Sequence, residues 1–252
     1  MRLFYNNLID ASGVVITETS EVSTLPSSNV VHELRGKVWR TGTSVALEAI
    51  VFDLLTAQAV TACIILDHTI TSGDSLIKIQ GHTSDSWGSP SFSQTITYAA
   101  DIITTVFASQ TYRYWRFTFT KSAAGVSRDV GRIFLGTYVE PDEDPDYDGY
   151  QESAEDQSRR QVTLGGQEYT ELLDGYLMLK GDFTHITNTN KGLLKTYAQT
   201  VRQAVSHFIQ VSTTSPWDGV YYVKLRNAPK FKAAALETNP VWNTSLEWKE
   251  QL

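Results

Sequence analysis

Asp144, Asp146 and Asp148, followed by Gly149 and, after five intervening residues, by Glu155, reproduce the spacing of a calcium-binding loop. Carboxylates at alternate positions wrap a hard cation, the glycine permits a sharp bend, and the final glutamate closes the site with both oxygens. The same stretch, 140–156, holds nine acids and no base, a density that generates such spacing without a metal. Pro141 and Pro145 oppose an entering helix, and Gln151 stands where such a loop buries an aliphatic side chain. Two readings stand side by side, a calcium site and a solvated acidic linker, and composition favours the linker. No other cofactor is expected.

A second group, His82, Asp85 and Trp87, has the chemistry of a sugar site. An indole stacks on the apolar face of a pyranose while an imidazole and a carboxylate hydrogen-bond its hydroxyls. The competing reading is a loop tryptophan that plugs the end of a β-fold or meets another subunit. Trp217, Tyr221 and Tyr222 form a third group, read either as core or as an interface, where Trp and Tyr are enriched.

Catalytic patterns are missing. The histidines at 32, 68, 82, 185 and 207 include no pair at metal-site spacing. Asp67 and His68 adjoin in a loop, an arrangement that is more often structural than catalytic. There is no Gly-x-Ser-x-Gly elbow, and Cys63 stands inside the apolar run from Val60 to Leu66. The acids that a glycosidase would hold across a cleft are gathered in 140–156 instead.

Six Trp, twelve Tyr and ten Phe with only 19% charged residues mark a chain built mainly from strands. Outside 140–156 the charge is close to balanced, so no basic surface can track phosphates and nucleic acid is excluded as a partner. No apolar run is long enough to span a membrane, and residues 1–10 lack the pattern of an export signal. Residues 1–139 read as short strands between turn residues, 140–160 as an acidic linker, and 161–252 as strands, one helix, then strands. In Arg113 to Phe119 strict alternation places Trp115, Phe117 and Phe119 on one face and Tyr114, Arg116 and Thr118 on the other. The helix is predicted from about Lys191 to Phe208, capped by Asn190. The fold class is therefore mainly β: a sandwich, then a second sandwich or barrel flanked by one helix.

Ile50 to Leu54, Val60 to Asp67, Tyr112 to Phe119 and Gly131 to Gly136, in that order and spacing, resemble the galactose-binding-like jelly rolls of the discoidin type. The resemblance covers a little over half the chain. It implies a sandwich that binds through loops at one end, with Trp87, Asp85 and His82 in such a loop. The paired cysteines common in secreted members are missing, because Cys63 stands alone. Leu3 to Asp10, Leu25 to Val30, Lys37 to Arg40 and Trp242 to Leu252 are similar to tailed-phage tail proteins in which a jelly roll precedes a second domain. A sandwich with one helix also resembles the ring-forming domain of distal tail proteins. These resemblances imply a non-enzymatic structural component of a tail tip or baseplate, made in the host cytoplasm and carried in the virion tail. It would form a homo-oligomeric ring, hexameric or trimeric, with other tail proteins as partners. The alternative is a carbohydrate-binding module that attaches a virion to a host-surface glycan.

Overall fold

Alternation of apolar and polar residues, carried by β-branched and aromatic side chains, draws 51% of the described residues into strands against 9% into helices. The computed structural model describes residues 1–123, 125–146, 148–214, 219–235 and 240–252. In chain order the first strands are β1 (Arg2–Asn7), β2 (Val15–Glu18), β3 (Trp39–Arg40), β4 (Leu47–Leu66), β5 (Ser75–His82), β6 (Phe92–Thr95), β7 (Ile102–Thr120), β8 (Asp129–Val130) and β9 (Ile133–Val139). There follow β10 (Tyr150–Glu155), β11 (Arg159–Val162), β12 (Glu168–Glu171), β13 (Tyr176–Ile186), helix α1 (Asn188–Val201), β14 (His207–Gln210), β15 (Val220–Leu225), β16 (Lys232–Ala235) and β17 (Val241–Glu250). They divide into two units: Asn6–Tyr138, and a second made of Met1–Tyr5 with Val139–Leu252.

In the first unit β4 and β7 pair antiparallel along most of their length, with register irregularities between Asp53 and Gln58 and between Val60 and Ala62. These breaks let one long hairpin serve two layers. The first half of β4 and the end of β7 join β2, β5 and β6 in the order β2-β4-β7-β5-β6. The second half of β4 pairs with β9 on its other edge. Ile50, Phe52, Ile79, Trp115, Phe117 and Phe119 from the first layer pack with Cys63, Ile65, Ile103, Ile133 and Leu135 from the second in one core. The unit is a β-sandwich of jelly-roll type. Trp115, Phe117 and Phe119 are fully buried, as their alternation predicts, and each contributes about 2–3 kcal/mol by leaving water.

In the second unit the strands form an antiparallel sheet in the order β10-β13-β17-β15-β14-β1, with β16 also on β17. Helix α1 lays Leu194, Tyr197 and Val201 on this sheet, against Leu179, Phe183, Val223, Leu246 and Trp248. The helix lies further toward the N-terminus than the apolar spacing indicates. Its cap is Thr187, whose side-chain oxygen accepts from the Asn190 amide at 3.2 Å, so Asn190 is not the cap but a buried residue of the first turn. It ends at Val201 because Arg202 turns to φ +50°, and Phe208, which continues the apolar stripe in sequence, belongs to strand β14. Periodicity alone cannot separate a helix end from a following strand that happens to keep the phase.

The acidic segment 140–160 is not an unstructured linker throughout. Tyr150 to Glu155 forms β10, paired residue by residue with Gly181 to Tyr176. The side chains of 151–155 stay exposed, so the strand is held by backbone pairing to the edge of β13, a contribution that composition does not register. Strands β11 and β12 form a separate two-stranded hairpin about the turn at Gly165 and Gly166. Among the described residues no helix is long and apolar enough to cross a membrane.

Candidate functional site

Strand register assembles a polar platform on the first unit. Asp53, Tyr114 and His82 stand in one row across β4, β7 and β5, and Val51, Arg116, Gln80 and Ser93 in the next row, which reaches β6. The intervening row is Phe52, Trp115 and Gly81. Because successive side chains alternate, Phe52 and Trp115 go to the core and the polar rows share the outer face. Gly81 has to be a glycine: a Cβ there would stand 2.5 Å from the Tyr112 ring and 3.3 Å from that of Trp115. Its smallness keeps β5 close to β7 and so fixes the positions of Gln80 and His82.

Arg116 organises the platform. Its Nε and Nη2 donate to Gln80 Oε1 at 2.9 and 2.6 Å, and Gln80 Nε2 donates to Ser93 Oγ at 3.3 Å. The loop between β5 and β6 returns over this face and sets the Trp87 ring on the guanidinium, 4.6 Å from carbon to ring centroid. Asp85 Oδ1 accepts the indole N–H at 2.6 Å and fixes the ring's rotation. Partial burial lowers the Arg116 pKa from its ordinary value, and the charge of Asp85 opposes that shift. His82 Nδ1 lies 2.7 Å from the Ser91 hydroxyl and accepts the Ser91 amide at 3.3 Å, which leaves Nε2 as the N–H of the ring. Beside it, Asp53 takes Arg113 bidentately at 2.7 and 2.8 Å, and that guanidinium lies 4.9 Å over the Tyr114 ring.

The structure therefore brings His82, Asp85 and Trp87 to one face, with the loop folded back on the sheet. Arg116, Gln80 and Tyr114 belong to the same platform and were not singled out by sequence. The alternation in β7 did place Tyr114 and Arg116 outward. What sequence could not supply was the return of the 83–91 loop onto Arg116, a contact between residues far apart in the chain.

The calcium spacing is taken apart. Asp144 pairs with the Met1 amino group, and Asp146 turns the chain onto β13, its amide donating to Asp182 O at 2.8 Å and its Oδ1 accepting from Thr184 Oγ1 at 3.0 Å. Asp148 is exposed in the turn before β10. Glu155 lies at the far end of that strand, about 17 Å from Tyr150 at the rise of an extended chain. Gly149 serves packing: a Cβ there would stand 2.8 Å from Asp182 Cβ. Among the described residues no three His, Cys, Asp or Glu side chains gather to hold a metal. Calcium or EDTA should accordingly leave the thermal unfolding midpoint unchanged, and a rise of several degrees with calcium would restore the loop reading.

The third group divides. Trp217 lies outside the described residues. Tyr222 is 2% exposed, its ring tilted on Phe208 at 4.8 Å, so it is core and not an open contact surface. Tyr221 is half-buried and donates its hydroxyl to Glu152 at 3.3 Å. Of the catalytic candidates, Asp67 is held by Arg35 at 2.5 Å, and burial pushes the Cys63 thiol up to about 12, far from an activated thiolate. Apart from the platform, the first unit has a cleft of about 400 Å³ lined by Ile9, Asp10, Val14, Ile16, Ser27 and Val31.

No family model matches the chain, and no curated protein matches it. Solved structures do. A fucose binding module from Streptococcus pneumoniae is 14% identical, with 52% of this chain and 95% of that one covered, at a TM-score of 0.43. Chitosan-binding module 1 from the chitosanase/glucanase of Paenibacillus sp. IK-5 is 16% identical, with 53% and 100% covered, at 0.40. A GH29 fucosidase from Ruminococcus gnavus in complex with fucose is 14% identical at 0.45, and there the chain spans only 27% of the enzyme. The jelly-roll assignment itself stands on the strand registers of the first unit.

Proposed function

We propose that this protein is a non-catalytic carbohydrate-binding module that attaches its assembly to a glycan. The observation that carries the reading is the Trp87 indole seated on Arg116 above the Gln80, His82 and Tyr114 platform. An aromatic plane fixed at one edge of a flat array of planar polar groups suits a ring that is apolar on its faces and hydroxylated at its rim. Arg116 is bonded here to an amide oxygen and not to a carboxylate, so it keeps donors for a ligand.

Saturable binding on a glycan array is expected, and Trp87→Ala should weaken it by roughly five- to thirtyfold, the loss of one stacking contact of about 1–2 kcal/mol. Arg116→Met should do the same and, because it leaves the buried Gln80 amide oxygen unpaired, should also lower the thermal midpoint by a few degrees. Full affinity in the Trp87→Ala chain would move the site elsewhere, the Asp10 cleft first. No saturable binding to any glycan would end the proposal.

A second reading is a homo-oligomeric structural component of a phage tail tip, with the glycan platform turned to the host. It is supported by the sequence resemblance and by the exposed apolar residues of the β11–β12 hairpin. Immunogold labelling of virions tests it, and an absence of signal at the tail would count against it.

A further inference from the structure

The hairpin of β11 and β12 is out of keeping with the rest of the chain. Every residue of both strands is exposed, and the hairpin pairs with no third strand among the described residues. Val162, Leu164, Tyr169, Leu172 and Leu173 are 62%, 111%, 57%, 84% and 38% exposed, a concentration of bare apolar surface within twelve positions. An isolated two-stranded hairpin is marginal in water, and each of its strands keeps one edge of unpaired N–H and C=O groups. Such an element is completed by another strand.

Its charges say which strand. β11 opens with Arg159 and Arg160, and β12 carries Glu168 and Glu171. Within the hairpin Arg160 Nε meets Glu168 Oε1 at 2.5 Å and Arg159 stands opposite Glu171. Two copies could meet edge to edge in three ways. β11 against β11, antiparallel about its centre, sets Arg159 against Val162 and Arg160 against Gln161 and gives neither arginine a carboxylate opposite, while β12 against β12 sets Glu168 against Glu171, and like charges across a strand pair are unfavourable. β12 of one copy against β11 of the next repeats the complementarity already present inside the hairpin and keeps the sheet antiparallel.

We propose that the hairpin Arg159–Glu171 joins copies of this chain head to tail, with β12 of one copy adding to β11 of its neighbour. The contact is heterologous, so it closes a ring or extends a filament and does not stop at a two-fold dimer. The occupant is a second copy because both complementary edges are on one element; a foreign partner would need to match only one. The inference rests on the assembly reading for the expectation that copies meet, and on nothing in the glycan reading.

The test uses the full chain, with light scattering and native mass spectrometry. The wild-type chain should form oligomers, and replacing residues 159–172 by a short Gly-Ser link should abolish them. A charge-reversed chain, R159E/R160E/E168K/E171K, keeps its internal pairing and should assemble with itself. Mixed with wild type it presents like charges at every mixed junction, so mixed oligomers should fall by roughly tenfold or more below the statistical fraction. A monomeric wild-type chain at about 100 μM, where contacts of the usual strength are occupied, overturns both the assembly reading and this one. Oligomers that survive the Gly-Ser replacement, or that mix freely with the reversed chain, overturn the hairpin contact alone.

Discussion

Lys121→Met should lower the unfolding free energy by about 3–5 kcal/mol, the usual consequence of leaving one member of a buried ion pair alone. The Lys121 and Glu48 side chains are both 0% exposed, with Nζ 2.8 Å from Oε1. Lys121 also donates to Gly42 O at 2.6 Å, and the Ser20 hydroxyl donates to Glu48 at 2.8–2.9 Å while accepting the Gly42 amide at 2.8 Å. One pair thus ties the end of β7, the start of β4 and the segments at Ser20 and Gly42. Removing the ammonium strands a carboxylate where water cannot reach it. Replacing both members, Lys121→Met with Glu48→Leu, should recover much of the loss, since no charge is then left buried. Urea unfolding measures each variant; a single-variant loss under about 1 kcal/mol would show that water reaches the pair.

Acid should destabilise the second unit through His207. Trp248 Nε1 donates to Tyr197 Oη at 2.8 Å, Tyr197 Oη lies 2.5 Å from His207 Nε2, and His207 Nδ1 lies 3.0 Å from Val205 O. A carbonyl only accepts, so Nδ1 carries the proton and Nε2 accepts from the tyrosine: the ring is neutral, and every partner is satisfied. Burial lowers its pKa from 6.5 to about 4. The unfolded chain therefore takes up a proton that the folded chain refuses. The contribution is complete above pH 6.5 and is lost as pH falls toward 4, by roughly 3 kcal/mol in all. His207→Gln should flatten the stability–pH slope by nearly one proton across this window, and an unchanged slope would mean that the ring is already charged. Tyr197→Phe, which leaves the indole N–H and the imidazole nitrogen unpaired, should cost about 2–4 kcal/mol at neutral pH.

Much of the sandwich could be read before any coordinates, because its signal is local. Trp115, Phe117 and Phe119 alternate with Tyr114 and Arg116, and a strand with that pattern can bury only one set. Cys63 lies in an apolar run and is buried. Helix α1 was visible from its stripe, but its ends were not, since Thr187 caps through one hydrogen bond and Phe208 keeps the helical phase from inside a strand. Strand β10 was hidden for a related reason: its five exposed residues, four of them polar, carry no apolar pattern, and only the edge of β13 makes them a strand.

Composition and alternation alone determined that this chain is mainly β, with the aromatic face of β7 turned inward and one helix near the C-terminal end. Tertiary structure decided what the polar residues are for. The calcium-like spacing of Asp144 to Glu155 is drawn out along a strand, while Trp87 and Arg116, 29 positions apart, are stacked. Burial pattern follows from neighbours one or two residues away, whereas a site is made by register and loop return, which no short window of sequence contains.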